Sequence, residues 1–259
     1  MYRLSYSSFS VARVLMALCV FFCHVFERFN YFGFLFVGVF FFMSGYGMEY
    51  MNKRSFALTR LIPYLLYYVW FSLIYLFFFR VFPYPSSWFF IVYFLVMMIY
   101  RFVTNIYGLL CSFIGLAAFF AFLDFEFGWS ASFGGFLFGV LYARKQFPFT
   151  FVNTLFFAFT PFVLLLSWRI EASLWFFIPL FSWCVLSFCS FPFMRKIASL
   201  SDYTFYFYCI HCFCLGLFGV TWTLGGSPAF FSVLLAFVLS CFLSIFFKDY
   251  LFNYPRIQK

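Results

Sequence analysis

Leu35-Phe36-Val37-Gly38-Val39-Phe40-Phe41-Phe42 decides the fold class. The run has no polar side chain, and it does not alternate apolar with polar residues. A membrane β-barrel strand alternates with a period of two, so a barrel is disfavoured. A helix satisfies its own backbone groups and tolerates an apolar surface all round when lipid or other apolar helices surround it. The same texture recurs over residues of about 7–26, 32–50, 61–82, 88–104, 106–124, 127–143, 150–168, 173–191, 203–224 and 228–247. A membrane-spanning helix needs roughly 20 apolar residues, and most of these stretches approach that length.

The whole chain agrees with its parts. Of 259 residues, 67% are hydrophobic, 31% are aromatic and only 9% are charged. A soluble domain carries roughly 25% charged residues to coat its surface. A soluble enzyme, a disordered chain and a nucleic-acid binder are therefore disfavoured. Ten spans leave no room for an appended soluble domain. The sequence predicts an all-α, polytopic integral membrane protein of about ten transmembrane helices. It forms a single domain over residues 1–259, without an internal repeat or a linker.

The net charge of +9 suits an anionic partner, but it also suits cytoplasmic loops rich in Lys and Arg. Placement separates the two. With the N-terminus inside, Arg3, Lys53, Arg54, Arg60, Arg101, Arg144, Lys145, Arg195, Lys196, Lys248, Arg256 and Lys259 all fall on the inner side. Only Arg28, Arg80 and Arg169 fall outside, and Arg13 lies within the first span. This bias puts both termini in the cytoplasm. The first span is too long for a cleaved signal peptide, lacks a small-residue cleavage site and carries Arg13 and His24.

Ionisable groups in lipid are costly and point to functional sites. Arg13 and His24 are eleven residues apart, three helical turns plus about 20°, so they share a face about 16 Å apart along the axis. Arg13 alone also fits a side chain reaching back to the inner interface. Ser44-Gly45-Tyr46 closes the second span. It fits tight helix packing, or a hydroxyl that donates to a reacting oxygen. Glu49 beyond it fits the interface. Thr204, Tyr208 and His211 sit at helical spacing on the ninth span, where a histidine serves as proton relay, packing residue or substrate contact. Lys53-Arg54 and Arg60-Leu-Ile-Pro63 form a basic entry to the third helix. That entry fits topology and anionic lipid, or a phosphate grip. Cys209-Ile-His211-Cys212-Phe-Cys214 offers soft ligands, but on one helix Cys214 points away from the Cys209 and Cys212 face. No metal site is expected from this spacing. The nine cysteines all fall within predicted spans, where they act as small hydrophobes.

Read in order, these features resemble the membrane acyltransferase-3 family, ten-span bacterial enzymes that move acyl groups onto sugars of surface polysaccharides. The family's first helix carries Arg or Lys, ten residues, then His, as Arg13 and His24 do here. Its Phe-rich second span ends in Ser-Gly-Phe, read here as Phe40-Phe41-Phe42-Met43-Ser44-Gly45-Tyr46. Arg60-Leu-Ile-Pro63 matches its Arg-x-x-Pro, Ser87-Trp88-Phe89-Phe90 its Trp-Phe opening of the fourth span, and Thr204, Tyr208 and His211 its Ser/Thr-x-x-x-Tyr-x-x-His. The family's Arg-x-x-Arg is incomplete here, because Ala57 holds the first position. Tyr46 replaces the usual Phe. The chain is short for the family and lacks the extracytoplasmic domain of some members.

The resemblance implies an O-acetyltransferase with acetyl-CoA as donor substrate, no permanently bound cofactor, and a sugar hydroxyl of a polysaccharide or its lipid-linked precursor as acceptor. A neutral hydroxyl is a poor nucleophile, and an imidazole can take its proton as attack proceeds. His24 is the expected base, oriented by Glu27. Transient acylation of His24 is a second route. Arg13 and Arg60, helped by Arg54, would hold the CoA phosphates. Ser44, or a backbone amide near Gly45, would steady the oxyanion, with Tyr46 beside it. Tyr208 and His211 would line the acyl or acceptor path. A transporter or flippase for a lipid-linked sugar is the competing expectation, and a scaffold without activity is a third.

Overall fold

The computed structural model describes residues 6–26, 30–51, 57–80, 87–122, 128–144, 173–220 and 229–251. Among the described residues there are nine α-helices and no strand. The helices are α1 (Tyr6–Val25), α2 (Asn30–Tyr50), α3 (Ala57–Phe79), α4 (Ser87–Phe102), α5 (Ile106–Phe122), α6 (Gly128–Ala143), α7 (Ser173–Cys189), α8 (Thr204–Leu217) and α9 (Phe230–Phe246). A 3₁₀ helix, Pro192–Asp202, links α7 to α8, and a wide π turn, Phe247–Leu251, extends α9. The expected span over 150–168 lies outside the described residues.

All-helical architecture is thus what the apolar runs produce. Length is more selective. Ser7–Val25 and Phe230–Tyr250 are long and apolar enough to cross a membrane, by length and composition. Other apolar helices, such as Trp88–Phe102 and Thr204–Leu217, are shorter. At 1.5 Å per residue α8 extends about 21 Å, against a hydrocarbon core of about 30 Å. The expected span over 203–224 is cut short at its end by Gly219, whose φ is 67°. The Val220 N–H reaches back to the Leu215 carbonyl at 2.9 Å, and the Gly219 N–H to that of Gly216 at 3.1 Å. This left-handed glycine cap satisfies the last carbonyls and turns the chain. The start of the preceding 3₁₀ helix is equally local. Phe191 is extended ahead of Pro192, as a residue before proline prefers. The Thr204 hydroxyl donates to the Ser201 carbonyl at 2.8 Å, tying this segment to α8.

Glycines set the tightest contact in the bundle. A Cβ at Gly135 would strike the carbonyl of Gly38, one at Gly139 the carbonyl of Phe42, and one at Gly45 the carbonyl of Phe136. Helices α2 and α6 therefore meet backbone to backbone. Apolar helices in an apolar solvent gain little from hiding surface, so close van der Waals approach across small residues holds them together. Around this axis, Tyr100 of α4, Phe113 of α5 and Phe133 and Phe136 of α6 are fully buried in one cluster. The faces turned outward are as apolar as the core: Trp70 and Phe77 of α3, Ile114 of α5, and Phe230, Phe231 and Phe242 of α9 are all exposed. A surface of this kind suits lipid.

Helix ends that the charge bias puts on one side also meet in space. The Glu49 carboxylate, near the end of α2, accepts from the Tyr100 hydroxyl at 2.6 Å and from Arg144 Nε at 2.7 Å. At a second junction, Lys248 lies 3.9 Å from Asp202 and 3.7 Å from Asp249, over the Tyr203 ring at 3.8 Å. Glu49 is therefore a tie between α2, α4 and α6 rather than an idle interface residue. Glu49→Ala removes a charged acceptor from the half-buried Arg144 guanidinium and from the Tyr100 hydroxyl. A hydrogen bond to a charged group contributes about 1.5–3 kcal/mol, and a loss of about 2 kcal/mol is expected. Denaturant titration in detergent checks it; a variant as stable as the parent removes Glu49 from the account.

Candidate functional site

In helix α8 every residue from Phe207 to Leu215 is buried. It packs between α1, α3 and α9. His211 is 1% exposed. Its Nδ1 lies 2.7 Å from the Tyr208 carbonyl and 3.3 Å from that of Phe207, one turn back on the same helix. A carbonyl only accepts, so Nδ1 carries the hydrogen and, in the neutral ring, Nε2 presents its lone pair. The backbone of α8 thereby fixes both tautomer and ring orientation.

The second imidazole comes from α1. His24 stands near the end of that helix, half-buried, with its ring stacked on His211 at 5.1 Å between centroids and 22° between planes. Phe21 and Phe207 flank His211 at 6.2 Å and 6.0 Å. The Tyr208 ring is 5.6 Å from His211, and it also touches Phe89 of α4 and Phe40 of α2 at 4.8 Å and 6.3 Å. Cys212 Sγ lies 3.4 Å from His211 Nε2. Two histidines that the sequence reads as separate features thus belong to one site, walled by aromatic rings.

Other expected residues fall elsewhere. Arg13 is half-buried on α1, about 16 Å from His24 along the axis. Its neighbours Val11 and Ala12 join the cluster that holds Tyr46, Tyr142 and the 3₁₀ residues Met194 and Ile197. Tyr46 stacks with Phe9 at 5.2 Å and Tyr50 at 5.5 Å. Arg13 and Tyr46 therefore share one layer of the bundle, and His24 and His211 another. Ser44 is half-buried at the α2–α6 contact. The Gly45 amide corrects one expectation. It lies within α2, where an amide is already bonded to the carbonyl four residues back, so it is not an oxyanion donor. Arg60 falls in the first turn of α3, with its side chain outside the described residues. Glu27 and Arg54 lie outside them altogether.

Two partnerships are not readable in the sequence. Cys212 joins the histidines although its own helix supplies no second cysteine to the group. Tyr67 of α3 and Tyr206 of α8 share a hydrogen bond between hydroxyls at 3.2 Å. Nothing in the sequence pairs Tyr206 with α3. All nine cysteines are free thiols.

The chain matches no family profile, no curated protein and no solved structure.

Proposed function

We propose that this chain is a multi-pass membrane O-acyltransferase of ten spans, in a bacterial inner membrane. It moves an acetyl group from cytoplasmic acetyl-CoA to a hydroxyl of a cell-surface polysaccharide or its lipid-linked precursor. The observation that carries this reading is the stacked pair of His24 and His211, drawn from the two helices whose motifs resemble the acyltransferase-3 family.

The chemistry runs as one displacement. The acceptor hydroxyl oxygen attacks the thioester carbonyl carbon while its proton passes to an imidazole nitrogen of His24. The C–S bond breaks, and the CoA thiolate leaves and takes up a proton. His211, with its Nδ1–H held by the backbone of α8, presents a fixed lone pair beside the same reaction volume. Apolar walls from Phe21, Phe207 and Tyr208 keep bulk water from hydrolysing the thioester. Arg13 and Arg60 hold the CoA phosphates, and the interval of about 16 Å from Arg13 to His24 is of the order of an extended pantetheine arm.

The test is acetyl-CoA labelled in the acetyl group, supplied to the purified protein in lipid with a membrane extract as acceptor source. Label is expected in a saccharide fraction, with one CoA thiol released per acetyl moved. A protein that leaves acetyl-CoA unconsumed and moves no label is not an acyltransferase, and the transporter reading then takes its place.

A further inference from the structure

Among the described residues, one group of three histidine, cysteine or acidic side chains brings its ligand atoms together. It comprises His24 from α1 and His211 and Cys212 from α8, and these atoms all lie within 4.8 Å of one another. We propose that the three side chains bind one soft monovalent metal ion, Cu⁺, in a trigonal site of two nitrogens and one sulfur.

The spacing is the first argument. With bonds of about 2.0 Å to nitrogen and about 2.3 Å to sulfur, two ligands on a common ion sit about 3.5–3.7 Å apart. Cys212 Sγ and His211 Nε2 are 3.4 Å apart, so two of the three donors are already at ligand separation. The His24 donor lies within 4.8 Å of both.

The second argument is the support behind the ligand. Metal-binding histidines donate their other ring N–H to a carbonyl or a carboxylate, which fixes the tautomer and raises the basicity of the ligating nitrogen. His211 does so through Nδ1 to the Tyr208 carbonyl at 2.7 Å. That contact leaves Nε2, on the Cys212 side, as the ligating atom.

Charge selects the ion. Cys212 is 4% exposed and His211 1%, and no carboxylate belongs to the group. Binding replaces the S–H bond with a metal–sulfur bond and releases the proton to solvent. A thiolate and Cu⁺ then sum to zero, so no net charge stays in the apolar interior. With Zn²⁺ the same ligands keep a charge of +1 and lack the fourth donor that zinc takes in structural sites. Imidazole and thiolate both suit copper. Sequence spacing could not find the site, because its third ligand comes from the far end of the chain.

Occupancy has a consequence for the proposed chemistry. The ion takes the nitrogen lone pair that His24 uses as base, so Cu⁺ is an inhibitor of acyl transfer. That consequence rests on the acyltransferase reading; the binding does not.

The experiment uses the full-length protein in detergent micelles under argon, with Cu⁺ presented as its bicinchoninate complex. The wild type is expected to take one Cu⁺ per chain from the competitor, with an X-ray absorption shell of two nitrogens and one sulfur. Cys212→Ser and His211→Ala are each expected to weaken binding at least tenfold. Cys111→Ser, on the exposed face of α5, should leave it unchanged, and helicity and monodisperse elution show that each variant is folded. A wild type that takes no Cu⁺, an all-sulfur shell, or full binding by both site variants overturns the proposal. Stoichiometric Zn²⁺ binding without Cu⁺ binding overturns the choice of ion. Binding by a protein that shows no acetyl transfer supports the site and removes the enzyme; transfer with no binding does the reverse.

Discussion

Replacing His24 by alanine is expected to lower acetyl transfer by about 10²–10⁴-fold, the range general-base removal covers, while acetyl-CoA binding stays little changed. On the proposed reading the two effects separate, because the phosphates and the reacting carbonyl would be held at different depths. Arg13 lies three turns nearer the start of α1, in the layer of Val11 and Tyr46, and His24 lies against α8. His24→Ala also removes a ring that stacks on His211, so structural damage must be told apart from lost chemistry. His24→Gln keeps much of the volume and lacks the base. Both variants should be equally inactive and should elute as the parent does. Rates measured with labelled acetyl-CoA at saturating donor decide the matter. Near-normal turnover in either variant removes His24 from the reaction.

The second large effect concerns assembly. Gly139→Ala adds a single methyl group, yet that group has nowhere to go. A Cβ at position 139 would strike the Phe42 carbonyl and lie 2.8 Å from the Tyr46 nitrogen. Both obstacles are backbone in the middle of α2, so neither can rotate aside. The helices must separate along the contact, and the interdigitated rings of Phe42, Tyr46 and Tyr142 lose their partners. Overpacking of this kind costs about 1–3 kcal/mol, and the upper end is expected here because no flexible side chain can yield. Gly47→Ala is the control. Its Cβ would lie 3.9 Å from the end of the Met51 side chain, and a change within about 0.5 kcal/mol is expected. Denaturation in mixed micelles compares the two; equal stability would contradict the close approach of α2 and α6.

Much of this architecture is legible in the residues themselves. Apolar runs such as Leu35–Phe42 announce helices because they lack the period-two alternation of a barrel strand, and a helix satisfies its own backbone in apolar surroundings. The shared face of Arg13 and His24 follows from helical arithmetic alone. Helix length is harder, because an apolar run does not say where the chain turns. Gly219 ends α8 through its left-handed backbone, and Phe218 before it gives no hint of the stop. Pairings across the bundle are not readable at all. Glu49 resembles any carboxylate at an interface until Tyr100 and Arg144 are seen to converge on it. The motifs placed His24 and His211 on separate helices without bringing them together, and only the packing of α1 on α8 does that. Ser44-Gly45 shows the opposite case. The motif drew attention to a donor, and the structure uses its glycine to let two backbones touch.

The stacking of His24 on His211 also has a bearing on biogenesis. Its two halves leave the ribosome at widely different moments. At a translation speed of about 5–20 residues per second, α8 emerges roughly 10–40 seconds after α1. Throughout that interval the growing polypeptide owns one imidazole and lacks its mate. The stack can form only once α8 has been made and packed against α1.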